Sequence, residues 1–330
     1  MIWIKKQKIN PEVTDYYLET IGNSYIKMGQ RVAYFKDWKE CKAKKDDVVV
    51  VTRYKEVLRM IATRKKYVYW VQGILPEENF ALYHSKIKYA LYDLIEKVIF
   101  THTNKKKYLL VMVSERMKIH YENKYNCKVN SYYIMPCNND SIHEFSFFEK
   151  DKYSENVFCY AGGLNVWQCI EETLCLYKQI EERDNSSKLL MLVKNHDLAK
   201  ELVKKYNIKN VEYDFVPVDK LPEKLKSVKY GFIVREDVEL NRVATPTKLM
   251  TYMGNGVIPI LSDCLEGLTE NLVDTKYLIK LKNTQDVESI LQGMKIDVDN
   301  QEIFNDYSRI YSEKYDISTH IERLCKVLPY

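Results

Sequence analysis

The stretch from residue 229 to residue 267 leaves few folds open to this chain. Residues 230–234 (Y-G-F-I-V) are a continuous apolar run too short for a helix, the pattern of a strand covered on both faces. Arg235-Glu236-Asp237 ends the run at once. Thr245 is placed to cap a helix, with Pro246 at its first position, where a missing N–H costs nothing. Leu249, Met250 and Met253 then form an inward stripe, Gly254 and Gly256 stop the helix, and residues 257–261 (V-I-P-I-L) make the next strand. A strand, loop, helix and strand in this order belong to a parallel sheet. They set the helix's free N–H groups at the carboxyl edge, where open α/β sheets bind phosphate-bearing ligands.

The same alternation runs along the whole chain and predicts βαβ units. Strands are expected at 2–4, 31–35, 48–51, 67–71, 98–100, 109–113, 157–160, 188–193 and 211–215. Helices are expected at 13–28 after Asn10-Pro11, at 54–62, at 79–97, and after a Ser114 cap. Further helices are expected at 169–180, 197–206, 305–315 and 318–328. A length of 330 residues with 46% hydrophobic content supports two cores. Residues 141–156 have weak periodicity and suit a linker.

The eight cysteines are scattered without a C-x-x-C pair, and Met1-Ile2-Trp3-Ile4 runs straight into Lys5-Lys6 with no signal-peptide pattern. A reduced, cytoplasmic protein is expected, with neither a disulfide framework nor a zinc cage. No apolar run approaches the about 18 residues of a membrane span. Charge is uneven: residues 1–140 hold 26 Lys and Arg against 15 Asp and Glu, while the remainder is net acidic. The first half is therefore suited to an anionic surface or a lipid-phosphate substrate. No nucleic-acid module is present, so nucleic acid is not an expected partner. The 79–97 segment carries Tyr83, Lys86, Lys88, Tyr89 and Tyr92, and the basic run Lys105-Lys106-Lys107 follows. Such a face suits a headgroup layer, and it equally suits a core-packing helix with a wet outer side.

Candidate ligand positions lie beyond strand ends. Gln72-Gly73 follows the 67–71 strand, Gly162-Gly163 follows the 157–160 strand, and Lys194 follows the 188–193 strand. Arg suits a bidentate phosphate contact and Lys a point-charge contact, so Arg235 and Lys248 are the candidate cations for a phosphate leaving group. Asp297-Val298-Asp299 sits late, after a helix, and is not a convincing metal-holding D-x-D; no metal is expected.

The segment N-R-V-A-T-P-T-K-L-M-T-Y-M-G-N-G-V-I-P-I resembles the donor-site segment of GT-B-fold glycosyltransferases of the family-4 kind, which read roughly N-x-x-x-S-P-x-K-x-x-E-Y-x-x-x-G-x-x-P-V. Three further stretches resemble the same family. They are V-S-E-R-M with the later Y-Y-I-M-P-C-N-N-D, Y-A-G-G-L (against Y-x-G-G-L/R-x-x-x-K-G), and V-P-V-D-K-L-P-E-K-L. The resemblance implies an α/β chain of two Rossmann-like domains facing across a cleft. An acceptor-binding domain would occupy 1–140, a linker 141–156 and a nucleotide-sugar-binding domain 157–312, with a helix at 313–330 packing back on the first domain.

The implied activity moves a sugar from a nucleoside-diphosphate donor to a glycan or lipid-linked acceptor, without metal or other cofactor and with retention. Arg235 and Lys248 would be catalytic. Gly162, Gly163, Lys194, Val216, Val218, Asn241, Thr247 and Thr251 would bind the donor, and Gln72 and Gly73 would lie on the acceptor side. Thr251 stands where the family carries a ribose-binding Glu, and Val243 stands where a more distant acidic residue is common. Three readings stay open. One is a transferase at the inner membrane face acting in surface-polysaccharide assembly; one is a non-catalytic relative binding a nucleotide or a partner transferase; one is a sugar-nucleotide epimerase.

Overall fold

The computed structural model describes residues 1–7, 12–102, 108–164, 168–272 and 275–330. Asn10-Pro11, the Lys105–Lys107 run and Asn165-Val166-Trp167 lie outside the described residues. The chain divides into two units: residues 1–139 with 242–245 and 312–330, and residues 140–241 with 246–311.

The first unit is built on six parallel strands, β1 (Ile2–Lys5), β2 (Val32–Phe35), β3 (Val48–Val51), β4 (Lys66–Val71), β5 (Tyr108–Met112) and β6 (Tyr132–Ile134), in the order β2-β1-β3-β4-β5-β6. Four consecutive valines make β3, all buried, with Val50 registered between Ile4 and Val68. β-branched side chains suit such a doubly covered strand. Between the strands run α1 (Glu12–Lys27), α2 (Tyr54–Ala62), α3 (Leu75–Tyr83), α4 (Lys86–His102) and α5 (Glu115–Tyr125). Ser114 caps α5 as expected, its Oγ accepting from Met117 N at 3.0 Å.

Two expectations are corrected here. The 79–97 helix is two helices, because His84 turns into the left-handed region (φ +49°) and Ser85 Oγ then accepts from Lys88 N at 3.3 Å. Residues 98–100 are not a strand; they lie within α4, with Ile99 and Phe100 buried.

The second unit repeats the plan with β7 (Val157–Ala161), β8 (Lys188–Leu192), β9 (Val211–Asp214), β10 (Tyr230–Ile233), β11 (Ile258–Ser262) and β12 (Ile279–Leu281), ordered β12-β11-β10-β7-β8-β9. Its helical segments are α6 (Glu144–Phe147), α7 (Ile170–Arg183), α8 (His196–Lys205), α9 (Leu221–Leu225), α10 (Glu239–Val243), α11 (Lys248–Met253), α12 (Glu266–Thr269), α13 (Val287–Gly293) and α14 (Asn300–Lys314), of which α10 and α14 end in residues of the first unit. Residues 141–156 pack into this unit. Phe147 is fully buried, and Lys152 Nζ donates to Leu225 O at 3.1 Å and Asn255 O at 2.6 Å.

The last helix, α15 (Ile317–Leu324), completes the first unit's core. Leu324 and Leu328 join Tyr17, Ile21, Val50 and Trp70, and Tyr25 Oη donates to Pro329 O at 2.7 Å. Tyr17 stacks on Trp70 with ring centres 4.0 Å apart.

Strand order in the second unit reverses between β7 and β10, and these two neighbours are hydrogen-bonded in parallel. Such a switch point leaves a crevice at the carboxyl ends. The helix on β10 is fitted there by a glycine: a Cβ on Gly231 would fall 2.6 Å from the Tyr252 ring, and Tyr252 Oη accepts from Ala161 N at 3.0 Å. Gly231→Ala is expected to cost about 1–3 kcal/mol through overpacking, read as a lower denaturant midpoint in equilibrium unfolding.

Candidate functional site: a paired-cation anion site

The carboxyl ends of β7 and β10 deliver Gly162-Gly163 and Arg235 to the same place. Arg235 is 6% exposed. Its backbone N donates to Ser262 Oγ at 2.9 Å, and its guanidinium donates from Nη1 to Val234 O (2.7 Å) and Gln168 O (3.3 Å). Nη2 donates to Gln168 Oε1 at 2.7 Å. The same amide oxygen accepts from Lys248 Nζ at 2.9 Å, and Nζ also stands 4.4 Å over the Tyr160 ring. Gly162 (φ +131°) makes room for it, since a Cβ there would lie 2.7 Å from Lys248 Cε.

Two cations therefore share one neutral acceptor, and among the described residues no carboxylate lies within ion-pair distance of either. Burial, with the nearby Arg235 charge adding to it, pulls the Lys248 ammonium down to about 7. Burial lowers Arg235 as well. Such a pair gains most from a ligand bearing more than one negative charge, a phosphate or diphosphate.

The helix next to this pair starts later than expected. Thr247, not Thr245, is the residue before α11, and Pro246 lies outside the helix. Thr247 O accepts from Met250 N and Thr251 N, while Thr245 Oγ1 accepts from Cys137 N at 3.0 Å inside the first unit. The hydroxyl of Thr245 is thereby committed elsewhere, and the proline turn precedes a helix of only six residues. Asn241 is 7% exposed, and its Nδ2 donates to Glu236 O at 2.8 Å, which closes the loop after Arg235 on itself. Thr251 is buried at 8% exposure, its carbonyl accepting from Asn255 Nδ2. Lys194 stands exposed beyond β8; Val216, half-buried, and Val218, exposed, lie on the loop leaving β9. These last three share the carboxyl edge with the cation pair but make no hydrogen bond to it among the described residues.

Sequence reasoning missed Gln168, the residue that joins Arg235 to Lys248. A signal was present: Gln168 and Cys169 fall where the resembled pattern Y-x-G-G-L/R-x-x-x-K-G has Lys and Gly. Cys169 does adopt the left-handed conformation (φ +50°) that glycine favours. Lys248 supplies the ammonium at Gln168 Oε1.

Two cavities of about 500 Å³ open nearby, one lined by Leu164, Glu171, Glu172, Leu198 and Glu236, the other by Arg235, Glu236, Asp237, Asp263 and Lys282. Neither is lined by Lys248 or Gly162, and their carboxylates disfavour phosphate. The second cavity meets the cation pair through Arg235, while Lys248 lines neither. Among the described residues no group of three or more His, Cys, Asp or Glu side chains could hold a metal ion. Asp299, from the D-x-D, accepts from Glu302 N at 2.7 Å within α14's first turn.

In the first unit, Gln72 is exposed just past β4. Gly73 O accepts from Tyr121 Oη at 2.8 Å, and a Cβ on Gly73 would fall 1.7 Å from Glu78 Oε1. The glycine leaves room for the Glu78 carboxylate, which a larger residue would displace. Behind it, buried Glu96 accepts from Leu75 N, Tyr121 Oη and Tyr125 Oη, tying α3, α4 and α5 together.

No protein-family model and no curated protein matches this sequence. Solved structures share its fold. HepE from Anabaena, in complex with UDP, superposes with a TM-score of 0.69 at 12% identity over 98% of each chain. Sucrose-phosphate synthase from Thermosynechococcus elongatus gives 0.68 at 10% identity, over 98% of this chain and 97% of that one. A mutant of S. aureus TarM in complex with fondaparinux, alpha-GlcNAc-glycerol and UDP gives 0.65 at 14% identity over 88% of this chain. This chain spans 57% of TarM's length. Two parallel six-stranded sheets with interleaved helices give this chain the two-domain, Rossmann-like GT-B fold.

Pyrophosphate binding should weaken as pH rises through about 7, because Lys248 then gives up its proton. Titration calorimetry between pH 6 and 9 checks this. Lys248→Arg, whose charge persists throughout, should flatten the profile.

Proposed function

We propose that this protein is a glycosyltransferase that moves a sugar from a nucleoside-diphosphate donor to a glycan or lipid-linked acceptor, with retention and without a metal ion. The observation that carries this reading is the convergence of Arg235 and Lys248 on Gln168 Oε1 with no carboxylate to neutralise them. It lies at the switch point of a fold shared with proteins solved in complex with UDP.

In such a transfer the bond from the anomeric carbon to the β-phosphate oxygen breaks, and its electron pair stays on the phosphate. The acceptor hydroxyl oxygen bonds to the anomeric carbon and loses its proton. Charge developing on the phosphate is met by two preorganised cations in a poorly solvated place, where they are worth more than in water. Gly162-Gly163 allow the diphosphate to approach the backbone closely. Within the second unit, this reading assigns Thr247 and Thr251 to the α11 side of the donor and Lys194, Val216 and Val218 to its nucleoside side; Gln72-Gly73 of the first unit is assigned to the acceptor. The location that fits is the inner face of a membrane, where a lipid-linked acceptor would be met. Among the described residues no helix is long and apolar enough to cross one.

Arg235→Ala and Lys248→Ala should each lower turnover by roughly 10²–10³-fold, the scale of losing one preorganised contact. Release of nucleoside diphosphate from a panel of UDP-, GDP- and dTDP-sugars, with lipid extract as acceptor, measures it. Wild-type rates in either variant would remove that residue from the mechanism. One observation favours a non-catalytic nucleotide-binding relative: Thr251 and Val243 are both buried where acidic residues are expected. Folded protein that binds UDP yet turns over no donor would establish that alternative.

A further inference from the structure

The outer side of the α3–α4 hairpin carries a pattern that the fold does not use. On α4, Ile87, Leu91, Leu94 and Val98 are spaced four, three and four apart, a single stripe on a helix. Core packing would bury such a stripe, but these residues are 85%, 56%, 60% and 42% exposed. The side that meets the core is the opposite one, through Glu96, Ile99 and Phe100. Phe80, Leu82 and Tyr83 of α3 are exposed too and extend the apolar surface around the hairpin end. From Ile87 to Val98 the stripe is about 16 Å long at 1.5 Å per residue.

The charges around it are of one sign. The exposed charged residues between Phe80 and His102 are Lys86, Lys88 and Lys97. The hairpin's carboxylates are engaged elsewhere: Glu96 is buried, Glu78 lies against Gly73, and Glu77 and Asp93 pair with Lys124 of α5. Lys88 Nζ lies 4.3 Å over the exposed Tyr83 ring, a basic group held beside an amphipathic aromatic. A second copy of this chain is a poor cover for the patch. Two antiparallel α4 helices centred between Leu91 and Leu94 would set Lys97 against Lys88 of the partner copy, like charge on like. An anionic bilayer satisfies both parts, since its acyl boundary takes the apolar stripe while its headgroups take the lysines.

We infer that the α3–α4 hairpin is a monotopic docking surface that seats the first unit on an anionic lipid bilayer, with the Ile87–Leu91–Leu94–Val98 stripe inserted at the acyl boundary and Lys86, Lys88 and Lys97 at the phosphates. It rests on the membrane location proposed above and gives that location a surface. The stripe is too short to span a bilayer, and attachment is reversible and dependent on salt.

The test is co-sedimentation of the full chain with vesicles of phosphatidylcholine alone or phosphatidylcholine mixed with phosphatidylglycerol. The wild type should sediment with the mixed vesicles, much less with the neutral ones, and less again as sodium chloride is raised. The double variant Leu91→Gln, Leu94→Gln should lose at least tenfold in partitioning. The triple variant Lys86→Gln, Lys88→Gln, Lys97→Gln should lose roughly a hundredfold on the mixed vesicles, at about fivefold for each lysine. All five side chains are exposed, so both variants should keep the wild-type melting curve.

Failure of the wild type to bind mixed vesicles, or undiminished binding by the leucine variant, overturns the inference. So does a wild-type dimer in light scattering that the leucine variant dissolves, because the patch would then belong to a second copy. Donor turnover in detergent-free solution is scored separately. Vesicle binding without turnover upholds this surface and removes the transferase reading; turnover without vesicle binding does the reverse.

Discussion

Two positive groups placed side by side in a poorly solvated pocket repel each other, and in the second unit a single amide oxygen holds them there. Gln168 Oε1 takes a hydrogen bond from each of Arg235 and Lys248, yet contributes no formal charge. A carboxylate at that position would hold the same geometry and neutralise it. The amide keeps the arrangement and leaves the electrostatic demand unmet, which is the condition for binding an anion rather than merely burying an ion pair. Lys248, drawn down to about 7, is the responsive member, and Arg235 the constant one.

That geometry is set by packing some distance away. Lys248 is the first residue of α11, and α11 is fixed to the sheet by the Tyr252 ring lying over Gly231 and by Tyr252 Oη at Ala161 N. Ala161 precedes Gly162, so one aromatic residue locates both the lysine and the glycine turn it leans over. Small residues on two adjacent strands and one large one on the helix accomplish together what none could alone. The first unit uses the same device at Gly73, where the absence of a side chain admits Glu78.

Much of this was legible in the residues. Short apolar runs such as Val48–Val51 and Tyr230–Ile233 are strands because nothing but a doubly covered parallel sheet suits them, and the Ser114 cap read correctly because its hydroxyl serves a local N–H. Local signals failed where the deciding partner is remote. His84 breaks a helix without Gly or Pro, and residues 98–100 look like a strand until Ile99 and Phe100 are seen on the inward side of a helix. Thr245 has the chemistry of a cap, but its hydroxyl is occupied by Cys137 N, more than a hundred residues away. Arg235, Lys248 and Gly162 were singled out from type and position, and the structure brings the three together. Gln168 was not, because a glutamine becomes notable only once two cations are found on it.

The first unit is assembled from both ends of the chain: its core holds Ile2 and Ile4 together with Leu324 and Leu328, and the second unit is encoded between them. During vectorial synthesis on the ribosome, the second unit has its full complement of strands while the first still lacks α15. Tyr17, Tyr25 and Tyr133 gain the partners that cover or hydrogen-bond them only once residues 320–329 have been made. The sheet made first is thus the one whose core is completed last.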